Sequence, residues 1–243
     1  MKRSVAISII AFLLLAAAGN AQEMKLDDIL NAYYKATGIE KMKDWTTLTE
    51  KGKTIVQGME FPFTMTTKRP SKLRVEAEVQ GNKMIQCYDD GKGWSVVPWS
   101  GSSTPQDMTP DEIKNMKEQT DIEGALYNWK EKGHQAELIG KEDMEGSSAY
   151  KIKVSKANGD VDNYFIDAEN YILLKTSSKV KIQGNETESE SLFTNYKDIN
   201  GVLVAETITT KIKDQTVSQI MIEKVEINQA VNDSIFVKPL VKK

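Results

Sequence analysis

Apolar and polar residues alternate with a period of two along most of the chain, most sharply over residues 72–79. In KLRVEAEV, Leu73, Val75, Ala77 and Val79 fall on one side, and Lys72, Arg74, Glu76 and Glu78 fall on the other. Strands with one apolar and one wet face belong to antiparallel sheets. FPFTMTT repeats the pattern, with Phe61, Phe63 and Met65 on a single side. Gln80-Gly81-Asn82 and Asp89-Asp90-Gly91 supply turn chemistry between such segments. On this basis strands are expected at 45–56, 59–68, 72–79, 83–89 and 93–99. They resume at 136–141, 149–155, 161–167, 171–182, 190–197, 202–213 and 216–227, with a short one at 234–239.

A helical period replaces alternation at three places. Leu26, Ile29, Leu30, Tyr33 and Tyr34 recur at helical spacing, with Asp27 and Asp28 in the first turn and Gly38 as the stop. In the middle region, Thr109 followed by Pro110 is an N-cap with proline at the first helical position, and Ile113 and Met116 share a face. Ala125, Leu126 and Trp129 predict a further short helix ended by Gly133, while 101–108 and the polar stretch 184–191 read as loops.

About eleven to thirteen strands are too many for a flat sheet without strong twist or closure. The expected fold is mainly β (α+β): a strongly curved antiparallel sheet forming an unclosed half-barrel, with about three helices as a lid over the concave face. The residues expected to face a ligand there are Phe61, Phe63, Met65, Leu73, Val75, Met84, Trp94, Val96, Met116, Leu126 and Trp129. Methionine-rich apolar surface suits variable apolar ligands, although the same residues also serve as ordinary core. Trp94 and Trp99 differ by five positions, so either one points outward or Pro98 bends the strand.

The first residues, MKRSVAISIIAFLLLAAAGNAQE, run from basic through apolar to small, the order of a cleavable secretory signal. Cleavage is expected after Ala21, leaving residues 22–243 as a single domain. The apolar run of about 14 residues is short against the ~20 of a membrane span. Loss of Lys2 and Arg3 takes the net charge from −3 to −5. This acidic balance and export both argue against a nucleic-acid surface. The one cysteine, Cys87, lies far from the cleavage point, so no lipid anchor is expected, and its setting in KMIQCY reads as a buried small hydrophobe.

Catalytic chemistry finds little support. The one histidine, His134, sits in a loop with no cysteine or histidine cluster to make a metal site. No G-x-S-x-G occurs, GKGWS lacks the phosphate-loop pattern, and the carboxylates are scattered along strand faces. No enzymatic activity, metal or cofactor is expected.

The opening helix, the Lys68-Arg69-Pro70 step, YDDGKGWSVVPWSG (88–101) and the region after it resemble the periplasmic lipoprotein carriers and outer-membrane lipoprotein-sorting proteins (LolA/LolB-like). In the C-terminal half, GSSAYKIKVSKANGD (146–160), YFIDAENYILLK (164–175) and SIFVKP carry the likeness. The resemblance implies an unclosed barrel with a helical lid, and a soluble, monomeric periplasmic carrier of lipoprotein acyl chains or another apolar ligand. Its partners would be an acylated lipoprotein, an inner-membrane donor and an outer-membrane acceptor. By position, Arg69 would hold the lid through hydrogen bonds while the cavity is empty. The chain departs from the simplest carriers in its length and in SKLRVE, where Leu73 and Val75 replace an aromatic-rich strand. The alternative is a non-enzymatic envelope protein-interaction or sensor domain on the same scaffold.

Overall fold

Thirteen strands form one antiparallel sheet in the order β6-β5-β4-β3-β2-β1-β13-β12-β11-β10-β9-β8-β7. The computed structural model describes residues 24–100, 102–144, 146–182 and 185–240; residues 1–21, expected as a signal segment, lie outside them. The first meander comprises β1 (Thr47–Val56), β2 (Met59–Lys68), β3 (Lys72–Val79), β4 (Asn82–Asp89), β5 (Lys92–Val97) and β6 (Ser102–Asp107). The second comprises β7 (Gln135–Met144), β8 (Ser147–Ser155), β9 (Val161–Asp167), β10 (Leu173–Ile182), β11 (Asn185–Ile199), β12 (Val202–Ile212) and β13 (Gln215–Ile227). The two meanders join where β1 pairs with β13, so the first and last strands lie at the centre and β6 and β7 are the free edges.

Helices cover one face. Helix α1 (Leu26–Thr37) is followed by a 3-10 helix at Ile39–Asp44, and α2 (Pro110–Glu118) lies in the connection between the two edge strands. Helix α1 buries Ile29, Leu30 and Tyr33 against Tyr150, Ile152, Val154 and Ile166 of β8 and β9. Gly38 ends it in the left-handed region at φ 67°, donating to the Tyr34 carbonyl. Helix α2 opens at the expected Thr109 cap, which the structure completes as a capping box in which Thr109 and Glu112 satisfy each other's backbone N–H. Its Ile113 and Met116 pack with Met108 on Leu73 and Tyr88. The other side of α2 is ion-paired to the β8–β9 end: Lys114 to Asp160 at 2.8 Å, and Glu118 to Lys156 at 2.7 Å.

Four segments differ from the sequence reading. Residues 102–107, expected as loop, form β6, an edge strand where Pro105 removes no obligatory ladder bond. Of the polar run expected as loop at 184–191, residue 184 lies outside the described residues and 185–191 form the start of β11, which pairs with β10 and carries cross-strand bridges such as Lys175–Glu190 at 2.6 Å. Residues 125–133 form a succession of turns rather than a helix, interrupted by positive φ at Asn128. The segment expected as strand at 234–239 instead enters a 3-10 helix at Asp233–Ile235.

That C-terminal segment lies against the outer face of the first meander. Phe236, 1% exposed, packs with Cys87 and Trp94, and Ile85, Val96, Val231 and Ile235 surround them. The Phe236 carbonyl accepts from Trp94 Nε1 at 2.9 Å and from Cys87 Sγ at 3.3 Å. Burial pushes the Cys87 thiol up to about 11, which keeps it protonated. The outer face is therefore not wet throughout. Pro98 ends β5, and Trp99 is left 56% exposed in the following 3-10 turn.

Replacing Phe236 with alanine removes the cover from Cys87 and Trp94, at an expected cost of about 3–5 kcal/mol. Urea unfolding reads the loss, and thiol labelling under native conditions should detect Cys87 in the variant but not in the parent. Equal stability would show that the C-terminal segment adds nothing to the fold.

Candidate functional site

Residues from seven neighbouring strands, β2, β1, β13, β12, β11, β10 and β9, line a single cavity of about 460 Å³. Strands lie ~4.8 Å apart in a sheet, so residues this far apart meet around one space only if the sheet curls. Met65, Leu48, Ile222, Ile208, Phe193 and Leu173 provide much of the apolar wall. Tyr33 and Ile39 close it from the helical side, and residues 119–126 cross above it. Its size falls within the range of small-molecule sites, about 300–1,000 Å³.

The roofing segment is tied down by polar contacts. Arg69 Nη2 reaches Glu123 Oε1 at 2.6 Å and the Met42 carbonyl at 3.0 Å, while Nε donates to the Trp45 carbonyl at 2.7 Å. One guanidinium thus links the end of β2, the Ile39–Asp44 helix and the roof. Lys132 Nζ donates to both Asp121 oxygens, at 2.6 and 2.7 Å, and to the Gly124 carbonyl at 2.8 Å. Tyr34 donates its hydroxyl to the Leu126 carbonyl at 2.5 Å and packs edge-on against Tyr127. Leu126 is the one deeply buried apolar anchor in 119–126.

Within the cavity wall stands one buried acid that sequence reasoning missed. Glu50 is 9% exposed, and it has no hydrogen-bond or ion-pair partner among the described residues. Burial pushes its carboxyl up to about 7 from the ordinary 4.5. Burial also drives the phenols of Tyr33, Tyr164 and Tyr196 upward, so these remain neutral hydroxyls. The available sequence signal was Glu50's place two residues after Leu48, in the inward phase of β1.

The residues singled out from the sequence separate into four groups. Met65 and Leu126 line the cavity, and Arg69 bridges its roof. Leu73, Val75 and Met116 belong to the adjoining α2 cluster, which Met65 also touches, while Trp129 packs at the α1 cluster. Phe61, Phe63 and Met84 share the inner phase of their strands but lie beyond the cavity wall. Trp94 and Val96 point the other way, because the phase of β5 turns them to the outer face under Phe236. Most of the strand-borne wall comes from β10–β13, whose contribution only strand pairing reveals.

Among the described residues, no group of His, Cys, Asp and Glu is placed to hold a metal ion. His134 accepts a hydrogen bond at Nδ1 from the Ala157 N–H at 3.1 Å, which fastens a turn.

The chain folds as an unclosed antiparallel half-barrel with a tethered cover over an apolar cavity, and solved structures share this fold. A LolA superfamily protein from Nitrosomonas europaea superposes with a TM-score of 0.59 at 14% identity, covering 88% of this chain and 98% of that one. A DUF1329 family protein from Desulfovibrio piger gives a TM-score of 0.59 at 11% identity, covering 86% and 97%. A domain described as an outer membrane lipoprotein-sorting protein from Vibrio parahaemolyticus gives 0.57 at 8% identity, again covering 86% and 97%. No protein-family model and no curated protein sequence matches the chain.

Glu50 sets a stability test. Its folded carboxyl holds the proton more tightly than the unfolded one, so stability falls as pH rises from about 4.5 to about 7 and levels off above. Glu50→Gln should flatten that slope and be more stable by about 2–3 kcal/mol near pH ~8, with little difference near pH ~5. Parallel stability–pH curves from denaturant titrations would contradict the assigned burial.

Proposed function

We propose that this protein is an exported, non-enzymatic carrier in the periplasm that binds lipoprotein acyl chains or another apolar ligand in outer-membrane lipoprotein sorting. The observation that carries the reading is the apolar cavity roofed by a segment held mainly through polar contacts. Burying acyl chain contributes about 0.8 kcal/mol per methylene, so such a cavity supplies affinity without bond chemistry. Polar tethers suit a cover that opens, because water replaces their hydrogen bonds when they break.

The remaining parts of the reading follow the sequence. Residues 1–21 would direct export and be removed, and residues 22–243 would act as one soluble monomeric domain without a lipid anchor. An inner-membrane donor and an outer-membrane acceptor would load and unload it. Among the described residues, no helix is long and apolar enough to cross a membrane.

Arg69 would then be the latch. Its loss would leave Glu123 largely buried without its cation, a state relieved when the roof lifts and the carboxylate reaches water. Arg69→Leu should release a neutral apolar fluorescent dye about tenfold faster than the parent, equivalent to about 1.4 kcal/mol. Stopped-flow dilution measures the rate, and an unchanged rate in a folded variant would reduce Arg69 to a turn residue. Organic extraction of protein taken from a periplasm, followed by mass spectrometry, tests the reading itself. Co-purified acylated material is expected, and protein that is always empty and also excludes the dye would overturn it.

A further inference from the structure

We propose that the cavity selects a single-tailed lipid amine, with Glu50 receiving the ammonium group. The inference rests on the reading of the cavity as an apolar ligand site and specifies what the ligand's polar end must be. The cavity wall contains three carboxylates, Glu50, Asp121 and Glu123, and no Lys, Arg or His. Two of these acids are committed: Glu123 to Arg69 at 2.6 Å and Asp121 to Lys132 at 2.6 Å. Glu50 alone lacks a partner among the described residues.

The unpaired carboxyl shares the cavity wall with Leu48, Met65, Ile222 and Val225, so only what fills the cavity can satisfy it. A purely hydrocarbon ligand would dry the cavity and worsen that position. An anionic amphiphile would add a like charge against Glu50, the one acid of the three without a counter-charge. An ammonium instead brings three N–H donors and the missing counter-charge, and hydrogen bonds between ionised partners are about twice as strong as neutral ones. Arg69 cannot take this part, since its guanidinium is already engaged by Glu123, Met42 and Trp45. A cavity of about 460 Å³ lies in the lower half of the usual ligand range, which suits one tail.

Displacement of a neutral apolar dye by dodecylamine, dodecanol and dodecanoate tests this on the mature chain near pH ~8, where Glu50 is ionised. Dodecylamine should bind at least about tenfold more tightly than dodecanoate, with dodecanol between them. In Glu50→Gln, with folding verified by thermal melting, the amine and carboxylate affinities should come within about threefold. Equal binding of all three by the parent, or a preference that survives Glu50→Gln, would overturn the lipid-amine inference and leave the carrier reading standing. If none of the three probes nor the dye binds, both fall together.

Discussion

The pairing of β1 with β13 is the constraint on which the rest of the structure depends. It joins two meanders that would otherwise be separate sheets, using residues 47–56 and 215–227 from opposite ends of the chain. The join contains a bulge between Lys51 and Gly52, and there the backbones approach so closely that a Cβ at position 52 would sit 1.9 Å from the Met221 carbonyl oxygen. Glycine is the residue that permits such an approach, and a bulge adds local twist. Immediately beside it, the register sets Glu50 opposite Val225 on the inner side. The join that completes the sheet thus also places the buried acid.

The same topology explains the cover. Because β6 and β7 are the two free edges, the chain must travel from one to the other between residues 107 and 135, and the shortest course runs over the concave face. Helix α2 spans this gap, apolar against β3–β5 and ion-paired to the β8–β9 end. Residues 119–126 follow it over the cavity, tied by Arg69, Lys132 and Tyr34. The roof therefore differs from the core beneath it: the core excludes water, while most of the roof's ties can exchange with it. The C-terminal segment does the opposite work outside, sealing Cys87 and Trp94 under Phe236.

Local order was largely legible in the residues. Alternation located β2 and β3 to the residue, and the Thr109-Pro110 cap placed the start of α2. Apart from the turns at 125–133, the misreadings share one cause, which is support that comes from a neighbouring segment. The stretch at 185–191 looks like loop because its residues are polar, yet β10 supplies a ladder and lysine partners that make it strand. SIFVKP looks like strand because it is apolar, yet its partner is the outer surface of β4 and β5 rather than a sheet edge. Trp94 looks like cavity lining until the phase of β5 is known.

What the sequence determined by itself was the curved antiparallel architecture, the amphipathic α1, the capped α2 and Arg69 at the end of a strand, since each follows from periodicity and local chemistry within a few residues. Only the tertiary structure decided which strands face one another across the cavity, that Glu50 stands in its wall without a counter-ion, and that Arg69 meets Glu123. These depend on pairings between residues more than fifty positions apart, such as Arg69 with Glu123 and Glu50 with Val225. Side-chain type shows what a residue can bond with; the closure of the sheet shows what is within reach.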